Sequence, residues 1–151
     1  MANSQAVSTS FKVEILNGIH AFGTTVVRAG TGADTWKAAL FLNTGSQGAG
    51  TATYSTTNEL AGTGGYTQGG VTFTWIAPTS SGTTAYSTPS ASFSWSSFTS
   101  SGTFDAVTLY NSTQSDKAMG TYTFGDQDVT AGNFTLTMPT NDSSTGLIRL
   151  S

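Results

Sequence analysis

Residues 71–75 read VTFTW, and this short stretch decides the fold class. Val71, Phe73 and Trp75 alternate with Thr72 and Thr74, so an extended backbone sends three apolar side chains to one face and two hydroxyls to the other. A helix would scatter the same residues around its axis. The pattern returns at Phe93 and Trp95, which alternate with serines. It returns again at Phe134, Leu136 and Met138, which alternate with Thr135 and Thr137 until Pro139 stops the run.

Other stretches read as strands by different signals. Residues 36–42 (WKAALFL) are apolar enough for a buried strand and are followed by the turn-rich NTGSQGAG. Residues 104–110 (FDAVTLY) read as a central strand ended by NSTQSD. Tyr122 and Phe124 mark a half-buried strand stopped by GDQD, and Leu147, Ile148 and Leu150 close the chain. Seven or eight short strands at this spacing predict an all-β domain, a β-sandwich or jelly roll, with a small barrel as the other closed form. No repeat of fixed period runs through the sequence, which excludes a threonine-rich solenoid.

Composition agrees. The chain has 151 residues, enough for one domain with a real core, and 29 Thr, 20 Ser and 18 Gly make up 67 of them. Threonine suits pleated surfaces, whereas serine and glycine suit turns and disfavour helix interiors. Charged residues are 9% of the chain, against roughly 25% in ordinary domains. Five Lys+Arg and a pI of 4.7 argue against nucleic acid and against anionic membrane surfaces as partners. Without cysteine there is neither a disulfide framework nor a thiolate metal site. No apolar run approaches the length of a membrane span, and MANSQAVSTS lacks the basic flank and apolar core of a signal peptide.

The N-terminal region has a different period. Residues 1–10 are small and polar and read as a flexible or draped arm ahead of a single domain over 11–151. Phe11, Ile15, Leu16, Ile19 and Phe22 follow helical spacing, with Ser10 as N-cap and Gly23 as stop. The spacing predicts one short α-helix over about 11–22. Its apolar stripe must cover either the domain's own sheet or a neighbour.

Residues 54–70, YSTTNELAGTGGYTQGG, carry five glycines and could suggest a phosphate cradle. A dinucleotide fingerprint starting at Gly62 has Gly64 in third place but Thr67 in sixth. A phosphate loop needs a closing Gly-Lys-Ser/Thr, and no lysine lies between Lys37 and Lys117. The stretch instead has the chemistry of a tight connection. Asn58 and the glycines supply positive φ, Tyr66 anchors the loop, and the bare backbone suits close approach to another segment.

Catalytic chemistry finds little to work with. The lone histidine, His20, falls at the predicted helix end, where a capping or surface role is expected. With no cysteine and no second histidine, neither a zinc site nor a catalytic triad can be assembled within one chain. Most of the eight acids stand in turn-like text. Only Glu14 and Asp105 fall within elements, and nothing pairs them for glycoside hydrolysis. Asp116 and the Asp126-Gln127-Asp128 run could offer oxygen to calcium but lack the spacing of a calcium loop, which makes them structural turns. Trp75, Trp95 and Tyr86 could stack on a sugar if exposed, but alternation makes both tryptophans core residues first. The sequence predicts a non-enzymatic protein with no catalytic, cofactor or metal residues.

Six ordered phrases carry a resemblance. They are FKVEILNGIHAF, DTWKAALFLNT, YSTTNELAGTGGYTQGG, TFDAVTLYNSTQSDKAMGTYTFGD, FTLTMPTND and GLIRLS, spread over residues 11–151. In these the chain resembles a family of small structural proteins of tailed bacteriophages, described as virion structural, decoration or cement proteins. The resemblance implies an all-β fold and a place in the virion, in head or tail; the leading expectation is a cement or decoration subunit, made in the host cytoplasm and bound to the head surface. The implied partners are the major capsid protein and further copies of the chain, as a trimer ahead of a dimer, with no cofactor. The candidate self or capsid contacts are Phe11, Ile15, Leu16, Ile19 and Tyr66. The alternatives are a tail or fibre component that binds a receptor, and a carbohydrate-binding module. The segment APTSSGTTAYSTPSASFSWSS matches least well.

Overall fold

Strand β2 (Trp36–Leu42) is apolar on both faces, and the fold is organised around covering each of them. The structure, a computed structural model, describes residues 2–8, 11, 15, 19–23 and 33–150. It is all-β and antiparallel. A five-stranded sheet holds β2 with β1 (Ala6–Val7), β3 (Val71–Phe73), β7 (Phe104–Asn111) and β8 (Lys117–Gln127), in the order β1-β8-β7-β2-β3. A three-stranded sheet, β10-β5-β4, joins β4 (Thr79–Ser81), β5 (Thr84–Ser87) and β10 (Ile148–Leu150). A further pair consists of β6 (Phe93–Phe98) and β9 (Gly132–Leu136).

Period-two alternation sorts β2 cleanly. Trp36, Ala38 and Leu40 enter the main core, whereas Ala39 and Phe41 enter a second cluster on the opposite face. Strand β7 lies at the centre of the sheet, and its Val107 and Leu109 join the main core. Aromatic rings from the β6–β9 pair close over that face. Phe134 lies 4.9 Å from Phe104 edge-on, and Phe93 lies 5.0 Å from Phe73. Burying each such side chain stabilises the fold by roughly 1.5–3 kcal/mol before ordering costs. Trp75 and Trp95 are buried in this core.

The opposite face is covered by the connection after β2. Tyr54 stacks on Tyr110 with ring centroids 4.3 Å apart and planes 8° from parallel. Beside them Thr108 and Thr121 face each other across β7 and β8, their hydroxyls 3.0 Å apart, so both buried polar groups find a partner.

The N-terminal segment, expected as a flexible or draped arm, lies along the sheet edge over residues 2–8. Ala6 and Val7 pair with Thr121 and Gly120, Ser8 N donates to Met119 O, and Ser4 N donates to Gln47 O. Phe11 and Ile15 have helical backbone, while the other residues from 12 to 18 lie outside the described ones. Residues 19–22 are not helical, so the element does not extend to 22 as the spacing predicted. The physical reason is local. Ala21 N and O are engaged by Asp34 Oδ2 and Trp36 Nε1, at 3.0 and 3.4 Å, instead of continuing a helix.

The segment of weakest pattern, 77–97, forms β4, β5 and the start of β6. Strands β4 and β5 form a hairpin through Gly82, whose φ is +58°, and β10 pairs with the far side of β5.

Candidate functional site

The 54–70 connection is built around a buried acid. Glu59 pairs backbone-to-backbone with Phe41 at the edge of β2, which turns its side chain inward. Its Oε2 accepts from the Tyr54 hydroxyl at 2.5 Å, and its Oε1 accepts from the Tyr66 hydroxyl and from Gly69 N, each at 2.7 Å. The Tyr66 hydroxyl in turn accepts from Leu40 N at 3.0 Å, and the Tyr110 hydroxyl donates to Gly69 O at 2.7 Å. Burial and the Glu59 carboxylate push the Tyr54 and Tyr66 phenols far above the usual tyrosine range, and burial does the same for Tyr110. These phenols are fixed donors, and the carboxylate is surrounded by donors. The arrangement is a buried hydrogen-bond network that ties the loop to β2.

The glycines of the same stretch let backbones touch. Gly65 and Gly70 have φ of +84° and +70°. A Cβ on Gly65 would lie 2.1 Å from Ser96 O, and one on Gly70 would lie 1.9 Å from Ala38 O. Asn58 also has positive φ, at 59°. The loop therefore shapes a surface whose residues 61–65 face solvent, while its underside is locked to β2 and to residues 96–101.

Depressions lie elsewhere on the described residues. Residues 74–76 pair with 88–90 through Ser90 N to Thr74 O and Ile76 N to Thr88 O, and the two chains then diverge into β3 and β6. A groove of about 420 Å³ opens in this fork, lined by residues 71–74 and 90–94, none of them ionisable. A smaller apolar cleft of about 150 Å³ includes Ile15, His20, Phe22, Tyr86 and Leu150, the last 54% exposed.

The residues expected to make contacts are divided. Phe11 and Tyr66 are buried inside the chain's own core, so in this fold neither is available to another subunit. Ile15 and Ile19 are half-buried, with Ile15 on the small cleft, and Leu16 lies outside the described residues. His20 is not a surface cap. Its ring lies between Phe11 and Trp36, with centroids 4.7 and 5.5 Å away, and its Nδ1 is 3.1 Å from Asn111 Nδ2. The same Asn111 amide donates to the buried Asp34 at 2.7 Å. Among the described residues no three His, Cys, Asp or Glu side chains converge on a metal position. Asp128 instead accepts from Ser100 and Thr103, and Asp126 accepts from Asn43.

No family model, curated protein or solved structure matches this chain. Among the described residues no helix is long and apolar enough to cross a membrane.

Proposed function

We propose that this chain is a non-enzymatic structural protein of a bacteriophage virion, a β-sandwich cement or decoration subunit that binds the outer surface of the head across seams between capsomers. One observation supports the reading beyond the sequence resemblance: several edge strands carry no charge. β3 (VTF), β4 (TSS) and β6 (FSWSSF) hold no charged residue, and β4 is exposed along its whole length. Free proteins often place charge on such edges, because unpaired backbone groups recruit other strands; here β3 and β4 are only three residues long and β6 shifts register between Trp95 and Phe98 instead. Uncharged edges suit a protein whose edges are covered in an assembly. Shape, backbone hydrogen bonds and apolar area would then hold it in place. Identical copies arranged on a symmetric shell would add their contacts, as a trimer first and a dimer next.

The packing of the β6–β9 rings over one face of the five-stranded sheet supports the sandwich form. Of the three rings considered for sugar stacking, Trp75 and Trp95 are buried, and only Tyr86 is half-exposed, on the small cleft. The test is a stoichiometry gel of purified particles from the source culture. Many copies per particle, scaling with the major capsid protein, are expected. A few copies would make it a tail component, and absence from particles would overturn the proposal.

A further inference from the structure

The fork between β3 and β6 is a ladder that starts and stops. At its stem Trp75 and Pro89 are bridged, with Ser90 N donating to Thr74 O at 2.8 Å and Ile76 N donating to Thr88 O at 2.9 Å. Beyond the stem the two chains part. Among the described residues β3 has only β2 beside it, and β6 has only β9, so each turns its other edge toward the gap.

The stem fixes which backbone groups face that gap. The N–H and C=O of one strand residue point to one side, and those of the next residue point to the other. Thr74 O accepts across the stem, so the Thr74 N–H and both backbone groups of Thr72 turn the same way, away from β2. Val71 and Phe73 are then the residues that bond to Ala38 and Trp36 opposite them. Phe73 and Phe93, with ring centroids 5.0 Å apart, form an apolar floor, while Thr72, Thr74, Ser92 and Ser94 are exposed on the rims. The groove between them measures about 420 Å³ and has no ionisable side chain in its lining.

We propose that the fork is a strand-addition site, which takes a short, extended, uncharged segment of another polypeptide between β3 and β6 and pairs with it through the backbone of Thr72 and Thr74. The free edges set the chemistry, because alternating N–H and C=O groups are matched by another extended backbone. Size agrees. A strand residue fills roughly 160 Å³, taking a rise of about 3.3 Å, a strand spacing of about 4.8 Å and a sheet spacing of about 10 Å, so the groove holds about three residues. A charged segment would lose its hydration against a lining that offers no counter-ion. The fitting segment places an apolar side chain on Phe73 and Phe93 and small polar ones outward, the same alternation that β3 and β6 carry. This goes beyond the virion reading, since it names the segment and its test needs no particle.

The test uses the full chain and a capped pentapeptide, acetyl-Thr-Val-Ser-Val-Thr-amide, followed by amide NMR shifts and hydrogen exchange. In the free protein the Thr72 amide should exchange about tenfold or more faster than that of Phe73, which is paired with β2. The peptide should bind saturably, shift the amides of residues 71–74 and 90–94, and slow Thr72 exchange about tenfold. The same peptide N-methylated at both valines keeps its side chains but loses the N–H groups of one edge, and should bind about tenfold more weakly. No saturable binding, equal affinity for the methylated peptide, or shifts without slower exchange at Thr72 would overturn the site. Thr72 protection that grows with protein concentration in the absence of peptide would make a second copy the occupant and would overturn it too.

Discussion

Glu59 and Tyr66, seven residues apart in a glycine-rich loop, meet through a 2.7 Å hydrogen bond beneath that loop, and the same tyrosine oxygen accepts from Leu40 N of β2. One side chain pair thus fastens the connection between β2 and β3 to the buried strand β2. Removing the acid should be costly. Glu59→Ala leaves two hydroxyls and the Gly69 N–H without their acceptor, each worth about 1–3 kcal/mol when buried. We expect a loss of at least about 3 kcal/mol, roughly a 6–12 °C fall in Tm for a chain of this size. Calorimetry of the variant decides it. A melt within 2 °C of the parent, taking about 2–4 °C per kcal/mol, would show that the network adds little.

Close approach and positive φ can be separated by two alanine substitutions. Gly70 has φ +70° and no room, since an added Cβ would meet Ala38 O, whereas Gly82 has φ +58° and open space around it. Gly82→Ala should cost only the left-handed penalty, about 1–2 kcal/mol. Gly70→Ala should cost clearly more, because β2 and the loop must separate. Urea midpoints of the two variants compare them directly, and equal losses would refute the steric argument.

Much of this architecture was readable beforehand, and the failures have physical causes. β2 and β7 stood out because long apolar runs have no alternative but burial. The turn character of 54–70 was legible in Asn58 and the glycines, of which Gly64, Gly65, Gly69 and Gly70 take positive φ along with Asn58. The β4–β5 hairpin was not legible, because TSS and TAYS have little apolar alternation and are held by pairing with β10, over sixty residues away. Glu59 was missed for another reason. An acid among turn residues normally serves the backbone at the surface, and only the flanking Tyr54 and Tyr66 hinted at donors that could carry it inside. His20 was misplaced because helical spacing ran past the point where Ala21 turns to Asp34 and Trp36.

Alkaline pH should destabilise the protein through its buried phenols. Tyr66 and Tyr122 both have folded-state pKa values raised above the unfolded value. Their contribution is fully present below the unfolded tyrosine pKa, near 10, and is lost as pH rises above it, when the unfolded chain releases protons that the folded chain keeps. Each can contribute a slope of up to about 1.4 kcal/mol per pH unit there. Urea midpoints should be flat from about pH 7 to 9 and fall steeply above about 10. Tyr122→Phe should make that fall shallower. A midpoint unchanged up to about pH 11 would contradict the burial of these phenols.

Salt should not remove the protein from its particle, if the virion reading holds. The whole chain has five cationic side chains, and the edges of β3, β4 and β6 and the fork groove have none. Contacts made there rest on apolar area and backbone hydrogen bonds, which ionic screening scarcely affects. Between 0.1 M and 1 M salt the Debye length shrinks from about 10 Å to about 3 Å, so a contact held by exposed charges would weaken over that range. Denaturant and heat act on burial itself and should release the subunit. Particles pelleted after each wash, with this band quantified against the major capsid protein, should keep a constant ratio through 1 M salt and lose it in urea. Release by salt alone would mean that charged groups outside these edges hold the protein, and the uncharged strand edges would then have no part in attachment.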